Sequence, residues 1–587
     1  MWTTLDFIRG KGGATGDVST ISADQLHIFF DDKVAAVRQN TSSASPATFS
    51  TVAADCRLSC FASLSVDDVI TATLALPNKQ CVSDPIPTQL LKAHIHTVAP
   101  FITELFNRSF LAGIVPRSFK SAYVTPLLKK ADLDVADVKS YRPISNLTVL
   151  SKLLEHLVAD QLRKYITQFQ LLPAVQSAYR VNHSTETAIL KVSSDLLQAV
   201  DDGDICLLIL LDLSAAFDTV DHQIMIKRLL KSCGLSGSVL NWFTSYLDGR
   251  TQRVVFNGAS SAPSAVSCGV PQGSVLGPVL FTLYTADLVP LIQRHKVNPH
   301  LYADDAQIYG RCRPADAATL QCRASACLQD VADWMSSNRL QLNSSKTEVM
   351  WVASDRKQHL LPNNPFSVSD ALIKPVLCVR DLGIYLDSDT SMRSHIVKTV
   401  AGCFGAMRTL RSISHSVPKP VLRTLVSALV LSRLDYGNAM LFGLPDVQLL
   451  KYQAVLNSAA RLIFGAGGRC HVTPLLQQLH WLSARERITF KIACFVWRCI
   501  NGLGPAYLSN SLQLVSHSGR RTGLRSEKTM NLVTPRMRNV THGDRAWPAA
   551  AAAVWNYLEP RSLQTETDYL AFRRGVKTML FKLRSLQ

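Results

Sequence analysis

Seven consecutive apolar residues, Ile205 to Leu211, stand out in the hydrophobic pattern, bounded by Asp201-Asp202-Gly203-Asp204 on one side and Asp212 on the other. A run of that length without polar alternation predicts a buried strand. Further short apolar runs at 253–256, 301–303, 306–309, 348–352 and 376–386 alternate with helical stretches, which predicts an α/β (α+β) region between 200 and 390. Upstream, Leu154, Leu157, Val158, Leu162 and Ile166 fall on one face of a helix over 151–169, with Ser151 as its cap. Helices are also expected from Val66 and from Gln89 to Phe106, separated by a turn at Pro85 and Pro87. Residues 1–60 are weakly patterned and read as linker, with one short helix near Ala23–Val37. Beyond 390 the pattern is helical to about 500. The remainder mixes basic loops with Trp547, five alanines after Pro548, and Trp555.

Length and composition change this picture in two ways. A chain of 587 residues with 47% hydrophobic residues has material for several cores. Its net charge of +18 is unevenly placed: residues 391–587 hold 27 basic and 8 acidic residues, and the rest is near neutral. Such an excess suggests a surface for a polyanion, nucleic acid above all, over simple solubility. The 14 cysteines have no paired C-x-x-C spacing, so Cys206 and Cys494 read as small core residues and no structural metal is expected. The N-terminus has no signal-peptide pattern, and no apolar run reaches the roughly 18 residues of a membrane span. A soluble, intracellular-type protein without membrane contact is expected.

The candidate chemistry lies in three segments. Asp212 ends the apolar strand, where an ionised carboxylate is costly unless paired or bound to a cation; a helix cap or solvated loop residue is the alternative. Asp304-Asp305 lies between strand-like segments, Leu301-Tyr302-Ala303 and Ala306 to Tyr309, which predicts a tight hairpin with two acids at its tip. Like charges so close repel, and a divalent cation relieves the repulsion. Carboxylates from two strand ends suit two-metal phosphoryl or nucleotidyl transfer, with ions roughly 3.5–4 Å apart. Between them, Cys268 to Pro278 holds three glycines and two prolines, a loop that lets backbone approach a ligand closely before a helix at about 279–290.

The segments Ala-Phe-Asp-Thr-Val-Asp-His (216–222), Gly-Val-Pro-Gln-Gly-Ser-Val-Leu-Gly-Pro (269–278) and Tyr-Ala-Asp-Asp (302–305) resemble three successive motifs of reverse transcriptases, in order. The wording around them is similar to LINE-type (non-LTR) retrotransposon enzymes of the jockey-like branch. Matches continue at Ser-Asp-Pro-Ile-Pro (83–87), Tyr-Arg-Pro-Ile-Ser-Asn-Leu (141–147), Gln-Ser-Ala-Tyr-Arg (176–180) and Leu-Gly-Ile-Tyr-Leu-Asp (382–387). The likeness implies a right-hand polymerase with fingers, a ferredoxin-like palm and a helical thumb. The boundaries it implies are a linker or truncated remnant over 1–80, fingers and palm over 81–390, thumb and connection over 391–500, and a basic C-terminal extension over 501–587.

By the same resemblance, Asp212, Asp304 and Asp305 are the catalytic carboxylates and hold two Mg²⁺, for which Mn²⁺ can substitute. Phe217 matches the residue that excludes a ribose 2′-hydroxyl, with plain core as the alternative. Arg142 with Lys129 or Lys130 matches the cations that hold the triphosphate, and Gln272 and Gly273 line the nucleotide pocket. Lys346 matches a lysine that protonates pyrophosphate, and Leu382-Gly383 resembles the primer-gripping hairpin. Arg408, Arg411, Arg423, Arg433, Lys451, Arg461, Arg485, Arg487, Lys491 and Arg498 would track a duplex backbone.

The implied partners are an RNA template, a DNA primer or target DNA, and dNTPs. The implied setting is the nucleus, after a cytoplasmic ribonucleoprotein stage. Only about 80 residues precede the first match, too few for the endonuclease domain of that branch, so a nick supplied by another protein is expected. Two other classes share the fold: a catalytically inactive or domesticated RNA-binding remnant, and a splicing-associated maturase.

Overall fold

The computed structural model describes residues 21–79, 81, 84, 86–130, 133–368, 371–517 and 530–586; Ser83 and Pro85 of the Ser-Asp-Pro-Ile-Pro segment lie outside them. The strands in chain order are β1 (Ser121–Leu128), β2 (Tyr141–Asn146), β3 (Ile205–Leu211), β4 (Arg250–Phe256), β5 (Ala259–Ser260), β6 (Ser264–Val266), β7 (Asn298–Tyr302), β8 (Asp305–Cys312), β9 (Glu348–Val352), β10 (Phe366–Val368), β11 (Ala371–Ile373), β12 (Cys378–Asp381) and β13 (Ile384–Asp387). The mixture of helices and sheets is the α/β class expected.

Two sheets dominate. One runs β2-β1-β4-β5, with β6 also on β4 and β1–β4 as its parallel pair. The other runs β7-β8-β3-β9, antiparallel throughout. In chain order its strands β3, β7, β8 and β9 stand third, first, second and fourth in space, with helix Ala317–Ser337 between β8 and β9: the split β-α-β order.

The unbroken apolar run of β3 has a simple cause. Ile205, Leu207, Ile209 and Leu211 enter one hydrophobic core, and Cys206 and Leu208 enter a second on the opposite face. Residues on successive positions point to opposite sides, so a strand covered on both has no polar face to alternate with. The first core holds helix Val149–Gln168 and Cys56, Phe61, Val69, Ile95, Phe106 and Phe110. The second holds the helices after 392, including Trp547, Trp555 and Phe572.

Three expectations need correction. Helix Val149–Gln168 is capped by Thr148, whose hydroxyl accepts from the Ser151 amide; Ser151 is buried and donates to the Phe119 carbonyl at 3.2 Å. Residues 21–64 are not linker. Helix Ala23–Asn40 packs Leu26 and Phe30 on Val124, Tyr141 and Val254, and Cys56, Phe61 and Leu64 join the first core. Their apolar positions follow no single period, because tertiary contacts rather than a local element bury them. Finally, Leu276–Arg294 is long and apolar enough to cross a membrane by length and composition, but most of it is buried inside the protein and it is split into helices Leu276–Tyr284 and Leu288–Arg294.

Candidate active site

The β3–β8 ladder ends at Leu211↔Ala306, so Asp212 stands one position beyond it, opposite Asp305. The β7–β8 ladder ends at Tyr302↔Asp305, leaving Ala303 and Asp304 as a two-residue turn. Ala303 has φ 59°, the left-handed conformation that such hairpin turns demand. The buried Gln176 holds that turn: its Oε1 accepts from the amides of Ala178 (2.9 Å) and Ala303 (3.2 Å). The expected acidic hairpin therefore exists, with Asp304 in the turn and Asp305 opening β8.

The acids are electrostatically crowded. Burial, then the Asp212 charge, raises the pKa of Asp304. Burial, then Asp304 and Asp212, pushes Asp305 up to about 6, although part of it is exposed to the cleft. Lys346 approaches Asp212 from the loop before β9, with Nζ 3.2 and 3.4 Å from the carboxylate oxygens. That loop is tied down by the Asn343 amide, which donates to the Asp212 carbonyl at 2.9 Å.

The glycine-rich loop lies along the segment after Asp212. Gly269 donates to the Val220 carbonyl and Val270 to the Phe217 carbonyl, at 2.7 and 2.8 Å, and His222 Nε2 meets the Gly269 carbonyl at 2.8 Å. Two glycines permit this approach. A Cβ on Gly269 (φ 88°) would meet Asp218 backbone at 2.7 Å, and one on Gly273 (φ 124°) would meet the Ser145 carbonyl at 2.5 Å. The Ser145 amide in turn donates to the Gln272 carbonyl at 2.8 Å, which joins the loop to β2. Gln272 Oε1 is buried without a partner, a polar atom free for a ligand. The Phe217 ring packs on Phe281 at 4.6 Å and also lines the cleft.

These elements surround one cleft of about 1000 Å³. Its walls carry Asp212, Asp304, Asp305, Phe217, Gln272, Lys129, Arg142 and Lys346, eight of the twelve expected site residues. Gly273 backs Gln272 from outside the lining. Lys130 is exposed at the end of β1 and does not line the cleft. Leu382-Gly383 forms the two-residue turn between β12 and β13, with φ of 43° and 87°, and Tyr436 donates to the Leu382 carbonyl at 2.5 Å. That turn is outside the cleft lining, joined to the acidic tip through Gln307, which donates to Asp381 at 2.7 Å.

Residues that the sequence pattern did not single out also contribute. Gln176 lay inside a quoted segment without a role, and Asp218 follows Phe217 in the cleft, pushed up to about 6 by burial. Lys33 and Arg38 reach the cleft from helix Ala23–Asn40; the only local signal was their position on a stripe with Phe30 and Val34.

Among the described residues no three His, Cys, Asp or Glu side chains are assembled around a point as a ready metal cage. That does not disqualify Mg²⁺, which retains waters and is usually held by one or two carboxylates plus substrate phosphates. The crowded Asp304–Asp305 tip facing Asp212 is a donor set of that kind.

Residues 128–384 match the family model for reverse transcriptase (RNA-dependent DNA polymerase). The chain is 30% identical over 356 residues to a Drosophila melanogaster protein named "Probable RNA-directed DNA polymerase from transposon BS", covering 59% of this chain and 38% of that one. It is 27% identical over 435 residues to the counterpart from transposon X-element of the same fly, covering 70% and 45%. It is 26% identical over 346 residues to the RNA-directed DNA polymerase from mobile element jockey, covering 57% and 36%. The chain thus spans less than half the length of these relatives.

Proposed function

We propose that residues 128–384, which match the reverse transcriptase family model, form a reverse transcriptase domain of the non-LTR retrotransposon type, and that the protein is an RNA-directed DNA polymerase. It extends a DNA 3′-hydroxyl on an RNA template by adding deoxynucleotides from dNTPs. The observation that carries this reading is the meeting of Asp212 with Asp304-Asp305 at one end of the β7-β8-β3-β9 sheet, across a cleft from Arg142 and Lys129.

In this reading the β7-β8-β3-β9 sheet is a ferredoxin-like palm, the sheet containing β1, β2 and β4 belongs to the fingers, and the helices from Arg393 to Ile500 are thumb and connection. Asp212 and Asp304, supported by Asp305, would hold two Mg²⁺. When bound, the ions lower the pKa of the attacking hydroxyl and neutralise the leaving pyrophosphate.

The chain's own groups do the rest. Arg142 and Lys129 neutralise and orient the triphosphate, and Gln272 offers its free oxygen to the nucleotide. Phe217 walls the sugar end, so a 2′-hydroxyl is rejected by contact. Lys346 now neutralises Asp212. Once phosphate enters, its Nζ is placed to hold a proton for the leaving group.

The test is primer extension by the purified protein with an RNA template, a DNA primer, dNTPs and Mg²⁺, beside the Asp304→Ala variant. The expected result is product from the wild type alone, with template–primer binding retained in the variant. Binding without product from folded wild type, in Mg²⁺ and in Mn²⁺, would instead mark an inactive RNA-binding protein.

A further inference from the structure

Helix Ala23–Asn40 precedes the matched reverse transcriptase region, yet it forms part of the cleft wall. It is fixed at both ends and along its side. Ser22 and Gln25 cap its start reciprocally, at 2.8 and 3.1 Å. Leu26 and Phe30 are buried against the sheet of β1, β2 and β4. Arg38 is ion-paired with Asp221 at 3.0 Å, and Asn40 reaches Gln341 at 3.5 Å. This helix cannot swing freely away from the site.

Lys33 lies on the cleft-facing stripe of that helix and is exposed. The neighbouring acid on the wall, Asp31, is engaged by His27 (3.4 Å) and Gln252 (3.3 Å), and no described carboxylate is within salt-bridge distance of the Lys33 ammonium. Two neighbours locate it. It is the strongest charge acting on Lys129, whose pKa falls through burial and then through Lys33, and it is the cation that opposes the buried Asp218 beside Phe217. Lys33 therefore lines the same cleft as Lys129, Arg142 and Phe217.

Holding two ammonium groups together in a partly buried cleft is unfavourable unless an anion joins them. A nucleoside triphosphate fits that position in both charge and location. A template strand, by contrast, would need a track of free cations leading away from the site, and the other cation this helix puts on the wall, Arg38, is paired with Asp221, its neighbours there being Phe29, Phe30, Val34 and Ala35.

We propose that Lys33 is a binding residue for the triphosphate of the incoming nucleotide, so that helix Ala23–Asn40 completes the nucleotide site from outside the matched domain. The inference rests on the polymerase reading above.

The test compares wild type, Lys33→Gln and Lys33→Arg. Three quantities are measured: dTTP-dependent primer extension, template–primer affinity, and equilibrium binding of a fluorescent dNTP to the protein with a dideoxy-terminated primer–template. For Lys33→Gln the KM for dTTP and the Kd for the fluorescent dNTP should rise about tenfold, the size of one charge-assisted contact. kcat and template–primer affinity should stay near wild type, and Lys33→Arg should restore most of the loss. Unchanged dNTP binding in Lys33→Gln overturns the inference, as does a loss confined to template–primer affinity. If the wild type makes no product but binds the dNTP in a Lys33-dependent way, the polymerase reading falls and the inference stands. If it binds no dNTP, both fall.

Discussion

Asp381 closes β12 in a buried position, and its carboxyl is pushed up to about 7 by burial and by the Asp305 charge, against the hydrogen bond from Gln307. An unfolded Asp titrates near about 4. Between those two values the folded protein binds the extra proton, so this group's contribution to stability falls as pH rises toward 7 and is flat above it. Asn in its place keeps the acceptor for Gln307 and has no charge to desolvate. Asp381→Asn should therefore be more stable than wild type at pH 8, by up to about 4 kcal/mol, and close to it near pH 4, where the folded-state side chain is neutral in both. Thermal midpoints at the two pH values check this, and a pH-independent difference would refute it. A second residue-scale outcome concerns Gly273. Its φ of 124° and the 2.5 Å approach of a Cβ to the Ser145 carbonyl leave Ala no room without moving the loop from β2. Gly273→Ala should raise the KM for dNTP by at least about tenfold, because the displaced backbone carries Gln272 with it. Steady-state extension kinetics measure the effect.

Helix Leu276–Tyr284 begins at the end of the glycine-rich loop, and a carboxylate from another helix satisfies its start. The Oε2 of buried Glu155 accepts from the amides of Val275 (2.7 Å) and Leu276 (3.1 Å). Removing it orphans two buried donors and leaves a void, so Glu155→Ala should cost about 3 kcal/mol, and Glu155→Gln, which keeps one acceptor, markedly less. Urea titration of the three proteins would show it; equal losses for Ala and Gln would mean that charge, not capping, is at stake. Glu155 also marks where sequence reasoning stops. The β strands were legible because β3 and β9 carry their burial in uninterrupted apolar runs, and the acidic hairpin was legible because its flanks are largely apolar. The cap of helix Val149–Gln168 was misread because Ser151 and Thr148 are both good caps locally, and only the Phe119 carbonyl decides between them. Gln176 and Lys33 act on segments about a hundred residues or more away in sequence. No local period records such partners, whereas motif wording singled out Asp212, Phe217 and Gln272, which line one cleft.

At the scale of the whole molecule, the excess charge of residues 391–587 must be divided between groups that hold the fold and groups that face outward. Of the ten cations expected to track a duplex, Arg485, Arg487 and Lys491 are ion-paired with Asp446, Asp435 and Glu186. Arg433, Arg461 and Arg498 hydrogen-bond to Gly402, Cys470 and Asn182. Lys491 joins helix Ala484–Ile500 to helix Thr185–Asp201, so part of the basic surplus fastens the helices of the second core to one another. Arg408, Arg411, Arg423 and Lys451 remain, all exposed and without a side-chain partner among the described residues. If these four are the phosphate contacts, template–primer affinity should fall with salt at a log–log slope of about −3 to −4, not the −9 that all ten would give. Replacing any one of the four by Ala should lower the slope by about one and weaken binding alike for every sequence. Lys491→Ala should leave the slope unchanged and lower the melting temperature, since it removes a partner from the partly buried Glu186. Binding isotherms at four or more salt concentrations separate the cases, and a wild-type slope near −9 would return the paired arginines to the nucleic-acid surface.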